Sequence, residues 1–314
     1  MSLPTVYEAE RVQSKASIMI EGLQGSGKSG LALLIAKALA EDDWSKVFAT
    51  DTENKSLNLF VGLTMSNGKK CAPFKKVDLL PMHGYMPSNF VALREEAVKM
   101  GAKAIVQDSI SHAWIGADGV LEQVNALEAA NAKLNKFNAW GQPKVMTEKN
   151  LLTTMIRDER IHVISTVRLK EKFVMKTGEG VESVGEQQIM QADMKYEPDL
   201  LLRMVSPGTP NGDPPMAKVI KSRYAILRKE QVYAFTEELL TQLRVYLAEG
   251  ADPEVLMERQ RQDMVTSISD ILDNDKSKMT MFLMLKKQLK LECKLAEMPL
   301  ETLQTIYARL TIKD

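Results

Sequence analysis

Cysteine and histidine are scarce in this chain of 314 residues, with two cysteines, Cys71 and Cys293, and three histidines. The cysteines lie far apart and without Cys-x-x-Cys spacing, so a structural zinc site is not expected and a reduced cytosolic setting is the natural reading. An excess of either charge is lacking as well. Lys+Arg and Asp+Glu both number 41, so no global positive field points to nucleic acid, and any such contact has to come from a local basic loop. No stretch approaches the roughly eighteen uninterrupted apolar residues of a membrane span. Residues 1–14 carry Glu8, Glu10 and Arg11 and lack the apolar centre of a signal peptide. What remains, 45% hydrophobic and 26% charged, suits a soluble globular chain with room for one large α/β domain and a smaller appendage.

The segment Gly22-Leu23-Gln24-Gly25-Ser26-Gly27-Lys28-Ser29 reads G-x-x-x-x-G-K-S, the phosphate-binding P-loop. An apolar run from Ala16 to Ile20 precedes it as a short strand, and a helix-period stretch from Leu31 to Ala40 follows it, the context this motif requires. Gly22, Gly25 and Gly27 permit backbone angles and approaches that a Cβ would block. The amides of residues 22–30, through Gly30, and the helix N-terminus would then face phosphate oxygens. Lys28 is expected to reach the β- and γ-phosphates of a nucleoside triphosphate, and the Ser29 hydroxyl to sit on Mg²⁺.

Further strands end in polar residues. Val47 to Thr50 leads into Asp51 and Glu53, and carboxyl ends of parallel strands are where ligands sit. Glu53 is thereby positioned to polarise an attacking water, and a helix-cap cluster is the alternative. Ala102 to Val106 leads into Asp108, the Walker B arrangement, whose carboxylate can hold the water shell of Mg²⁺ opposite Ser29. A strand-end turn aspartate is the alternative there. Ile161 to Val167 forms another strand, with Ser165, Thr166 or Arg168 able to sense the γ-phosphate and His162 read as a core histidine.

Between these strands, Ser88 is expected to cap a helix to about Met100, and Val120 to Phe137 and a later segment to about Arg160 read as helices. Trp114 and Trp140 flank the first of these and read as core or interface rather than as a base-stacking platform. Leu169 to Pro198 is polar, with Lys170, Lys172 and Lys176 near its start. It is either a cationic loop that contacts single-stranded DNA or a solvated β-hairpin. Strands are expected over Asp199 to Val205 and Met216 to Arg223. Thr236 then caps a helix that Tyr233 to Phe235 lead into. Gly250-Ala251-Asp252-Pro253 marks a boundary between residues 1–249 and a helical domain at 250–314, whose Met279, Met281 and Met284 read as core.

With these residues in view, the chain resembles the RecA-type core. Phe48 to Glu53 resembles its second-strand motif, which ends in the catalytic glutamate. Ile105 to Ser109 resembles its hydrophobic-Asp-Ser segment, and Ile164 to Lys170 the strand before its mobile DNA-binding loop. Val219-Ile220-Lys221-Ser222-Arg223 resembles the strand whose basic pair reaches a neighbouring subunit's nucleotide. Over roughly residues 16–247 the chain is similar to phage-encoded RecA-like ATPases, among them single-strand annealing and recombination proteins of the Sak type. Asp108-Ser109-Ile110-Ser111-His112-Ala113-Trp114, His162 to Lys170, Met194-Lys195-Tyr196-Glu197 and Lys221-Ser222-Arg223 carry that likeness. Thr166 stands where RecA has its sensor glutamine, and Met1 to Lys15 shows no counterpart of its N-terminal oligomerisation helix.

The resemblance implies a three-layer RecA-like P-loop ATPase with a mainly parallel sheet. It also implies ATP and Mg²⁺ as cofactors and an oligomer in which Lys221 and Arg223 act in trans. The expected function is ATP hydrolysis in phage DNA recombination, annealing or replication, in the host cytoplasm. A phage or host replication or recombination protein could dock on the C-terminal domain. The alternatives are a helicase loader or protein-remodelling ATPase, and a nucleotide-gated switch without nucleic acid.

Overall fold

Apolar residues fill every position of the first strand except its polar ends, and this determines how the sheet is buried. In the computed structural model, which describes residues 8–130, 135–176, 180–210 and 212–311, β1 (Ser17–Gly22) is buried along its whole length. Ile18 and Ile20 point into one core and Met19 into another, as period-two alternation requires of a strand covered on both faces.

Eight more strands are described: β2 (Val47–Asp51), β3 (Lys75–Asp78), β4 (Ala104–Asp108), β5 (His162–Lys176), β6 (Gly180–Gln188), β7 (Leu200–Ser206), β8 (Met216–Ser222) and β9 (Val232–Ala234). They form one mixed sheet in the order β3-β2-β4-β5-β1-β7-β8-β9, with β6 paired to the outer part of β5. Strands β3, β2, β4, β5, β1 and β7 are mutually parallel. Their carboxyl ends therefore share one edge. The pairs β7–β8, β8–β9 and β5–β6 are antiparallel.

Helices cover both faces. On one lie α1 (Lys28–Leu39) and, after β9, a helix over Glu237–Ala248; Leu31, Leu34, Ile35, Leu240 and Leu243 pack there with Ile18, Ile20 and Val106. The opposite face carries α2 (Pro87–Lys99), α3 (His112–Ile115), α4 (Val120–Ala130), α5 (Lys136–Trp140) and α6 (Pro143–Met155). Phe90, Val124, Val145 and Leu152 build its core with Met19 and Leu201. The helix over Glu237–Ala248 is α7, and its start is capped as expected, the Thr236 hydroxyl accepting the Leu239 amide at 3.2 Å. Among the described residues no helix is long and apolar enough to cross a membrane.

The chain divides into two compact units, Lys15–Leu247 and the segments on either side of it. In the smaller, α8 (Pro253–Asn274), α9 (Lys276–Gln288) and α10 (Leu300–Thr311) enclose a core of Ile268, Phe282, Leu285, Met298, Leu303 and Ile306.

Several local expectations are corrected. Ser88 does not cap α2; Pro87 occupies its first turn, and the Ser88 amide and hydroxyl instead donate to the buried Glu148 carboxylate at 2.9 and 2.8 Å. The helix expected from Val120 through Phe137 is not continuous: α4 is described as far as Ala130, and the extended Asn135 caps a separate short α5 by accepting the Asn138 amide. The Tyr233 segment begins as an edge strand, β9, before its helix. Met279, Met281 and Met284 lie on the exposed side of α9, Met284 67% exposed, because Phe282 and Leu285 supply its core face. After Leu169 the chain takes the hairpin alternative, β5 pairing antiparallel with β6 with a register shift between Glu171 and Phe173.

Candidate functional site

The carboxyl edge of the parallel strands gathers most of the residues singled out above. The loop from Gly22 to Gly27 leaves β1 and enters α1, with Gly25 and Gly27 at φ +76° and +90°, where side chains other than glycine are strained. Space is a second constraint. A Cβ on Gly27 would stand 2.5 Å from Cβ of Pro207, in the turn after β7, and one on Gly22 would stand 2.4 Å from the Ser26 hydroxyl. Leu23, Gln24 and Gly25 are exposed on the rim, and Ser29 and Gly30 sit half-buried in the first turn of α1. The Lys28 ammonium is buried and donates to the Leu23 carbonyl at 2.8 Å. Burial lowers its pKa, against the attraction of Asp108 and then Glu53.

Asp108 ends β4 and is 1% exposed. Its Oδ1 accepts the Thr166 hydroxyl from β5, whereas Oδ2 has no hydrogen-bond partner among the described residues. Burial raises its pKa, opposed by the nearby Ser29 and Thr166 hydroxyls and reinforced by the charges of Glu53 and Asp51. A buried carboxylate oxygen without a donor is costly unless a ligand or cation completes it. Among the described residues no cluster of three His, Cys, Asp or Glu could cage a metal. One hydroxyl and one carboxylate are the sparse protein share that suits Mg²⁺, which keeps waters and phosphate oxygens as its other ligands.

Glu53 follows β2 through a turn that Asp51 organises. The Asp51 carboxylate accepts the Glu53 and Leu57 amides, each at 2.9 Å. Asp51 is thus used up in holding the turn and one amide of the short 3-10 helix that follows, whose N-cap is Lys55, and Glu53 faces the edge. There the Arg168 guanidinium grips it through two nitrogens, Nε at 2.7 Å from Oε1 and Nη2 on Oε2. Burial would raise the Glu53 pKa, but its pairing with Arg168, helped by His112 and Ser109, holds it below its ordinary value. Arg168 is itself positioned from the segment after Asp108, since its amide donates to the Ser111 hydroxyl at 2.9 Å. His112, one residue on, lies 2.6 Å through Nδ1 from the Thr52 hydroxyl, which also accepts the Ser109 amide at 2.8 Å. Its ring stacks on Tyr85 at 4.9 Å.

Of the three residues considered as γ-phosphate sensors, Thr166 and Arg168 face this edge. Ser165 does not, because alternation along β5 turns its hydroxyl to Gln107 at 2.9 Å on the opposite face. His162 is a core histidine, accepting the Ala16 amide at 2.9 Å, and burial pushes its pKa down to about 3.

Lys221 and Arg223 are not brought to the loop of their own chain. β8 runs antiparallel to β7, with Lys221 opposite Leu201 and Met216 opposite Ser206, so the basic pair stands at the amino-terminal edge of the parallel strands. There Lys221 donates to the Tyr196 and Pro198 carbonyls, and Arg223 pairs with Asp199 at 2.9 Å.

The β5–β6 hairpin is less basic than its first half suggests. Its sequence from Leu169 to Gln188 holds three lysines and four glutamates, and Glu171 stands opposite Glu186 across the strands. Lys170 and Lys172 are exposed, and the Lys176 side chain lies outside the described residues. At the hairpin's base is a carboxylate that sequence reasoning missed. Glu21, 1% exposed, accepts Arg203 Nε at 2.6 Å and Gln188 Nε2 at 2.5 Å. Only its place directly before Gly22, a charge closing an apolar strand, could have drawn attention to it.

No protein-family model matches this chain, and no curated protein matches it.

Proposed function

We propose that this chain is an Mg²⁺-dependent ATPase of the RecA-like P-loop kind, acting with single-stranded DNA in recombination, annealing or replication. The observation that carries the reading is the convergence of five features on one sheet edge. They are a loop with left-handed glycines at 25 and 27, the buried Lys28, Ser29 at the start of α1, the unpartnered oxygen of Asp108, and Glu53.

In this reading the amides of residues 22–30 and Lys28 bind the triphosphate, and Lys28 exchanges the Leu23 carbonyl for phosphate oxygens. Ser29 and Asp108 would hold Mg²⁺, which when bound neutralises charge on the β- and γ-phosphates. Arg168 releases Glu53 when the γ-phosphate, a stronger partner for a guanidinium, arrives beside it. Glu53, which enters the complex ionised because Arg168 lowers its pKa in the free chain, then orients the attacking water. Lys221 and Arg223, far from their own loop, serve the nucleotide of a neighbouring copy.

The test is ATP hydrolysis by the full chain with and without single-stranded DNA, alongside Glu53→Gln. Turnover stimulated by DNA and reduced roughly 10²–10⁴-fold in Glu53→Gln, with nucleotide still bound, supports the reading. Turnover indifferent to both overturns it. A protein-directed ATPase of the helicase-loader type is the second reading, favoured by the exposed Met284 and Leu283 on α9; slow hydrolysis that DNA leaves unchanged would favour it.

A further inference from the structure

The aromatic residues of the second face do not all enter its core. Trp114, at the end of α3, and Trp140, at the end of α5, stack with ring centroids 5.7 Å apart and planes 24° from parallel. Both remain half-buried. Beside them α5 buries only Ala139 and leaves Phe137 85% exposed. With Met146, Lys149 and Gln191 these rings line an open concavity of about 460 Å³, within the size range of ligand sites. Trp114 and Trp140 pack against the core on one side, and Phe137 stands exposed beside them, so the concavity presents flat aromatic surface.

Charge identifies the occupant. Over residues 136–155 the charged side chains are Lys136, Lys144, Lys149 and Glu148. The one carboxylate is buried and satisfied by Ser88, while Lys136 and Lys144 are exposed. Lys149 lies 5.6 Å from the Trp140 ring centroid. Of these lysines Lys149 lines the concavity, and Lys136 and Lys144 are exposed on the same segment; flat apolar faces with cations beside them are the pairing that binds unpaired nucleotides by stacking bases and neutralising phosphates. The β5–β6 hairpin, by its sequence, carries one more glutamate than lysine.

We propose that Trp114, Phe137 and Trp140, with Lys136, Lys144 and Lys149, form a base-stacking shelf for single-stranded nucleic acid. The inference deepens the proposed function by giving its strand a location. Strand binding is therefore read apart from hydrolysis, so that each can fail alone.

The experiment titrates the full chain with oligothymidylate, with and without a non-hydrolysable ATP analogue, and follows tryptophan emission. Trp44 lies buried in the other core, so the change reports Trp114 and Trp140. Saturable quenching is expected. Phe137→Ala should weaken binding about tenfold and Phe137→Tyr restore it. Lys136→Gln with Lys144→Gln should reduce the slope of log affinity against log salt by about 1.4. These side chains are exposed, so the variants should keep the parent's thermal midpoint, and Phe137→Tyr guards against a folding artefact. ATP hydrolysis without oligonucleotide should be unchanged in all of them. The proposal is overturned by unchanged affinity in the shelf variants, by the absence of binding under both nucleotide conditions, or by loss confined to Lys170→Gln with Lys172→Gln. Equal quenching by polyglutamate, or by vesicles of anionic lipid, would overturn it too, since neither offers bases to stack.

Discussion

Single side chains at the carboxyl edge bear the strongest constraints. Arg168 holds the Glu53 carboxylate in its ionised form against a burial that favours protonation. If Glu53 must be ionised for turnover, Arg168→Ala should move the acid limb of the kcat/KM profile, which reports the free protein, to higher pH, whereas loss of a purely structural contact would lower the rate without moving the limb. Gly27 is limited by φ and by Pro207 together. Gly27→Ala should therefore cost roughly 1–3 kcal/mol of stability and weaken ATP binding, both readable in thermal melts with and without nucleotide. His162 gives a prediction independent of any activity. Its folded pKa of about 3 lies below the ordinary 6.5, so below pH 6.5 the unfolded chain takes up a proton that the native chain refuses. Stability should fall as pH drops from 6.5 toward 3, by at most ~1.4 kcal/mol for each unit, and His162→Gln should flatten that part of the curve.

At the scale of elements, the strand–loop–helix at residues 17–39 and the strands ending at Asp51 and Asp108 were legible, because buried parallel strands are continuous apolar runs and their polar ends are abrupt. The 15-residue β5 was legible only in its first half. Beyond Leu169 the sequence turns polar and left a cationic loop and a solvated hairpin both open, because a two-stranded arm, with β6 as its partner among the described residues, does not need the long apolar run of a buried strand. The exposure of Met279 and Met284 was illegible for a different reason, as helical spacing alone does not say which of two apolar stripes finds a partner. Arg168 was noticed as a polar end, but its grip on Glu53 joins residues 115 positions apart and has no signature in spacing.

For the whole molecule, Lys221 and Arg223 at one end of the sheet and the glycine loop at the other make assembly a condition of the proposed trans role. Lys28→Ala and Arg223→Ala should each be inactive alone, and mixing them should recover part of the activity, because some interfaces then pair an intact loop with an intact arginine. No recovery, or a fully active Arg223→Ala, would remove the basic pair from the chemistry. The continuity of β5 has a consequence of its own. One strand touches Asp108 through Thr166, grips Glu53 through Arg168 and then leaves the core as the arm, with no break in its backbone between these tasks. Its register against β6 shifts only farther out, between Glu171 and Phe173. Under the proposed function, linkage would make the traffic two-way: a ligand that binds the arm more tightly once Glu53 is released would itself tighten the hold on the triphosphate, by the same factor.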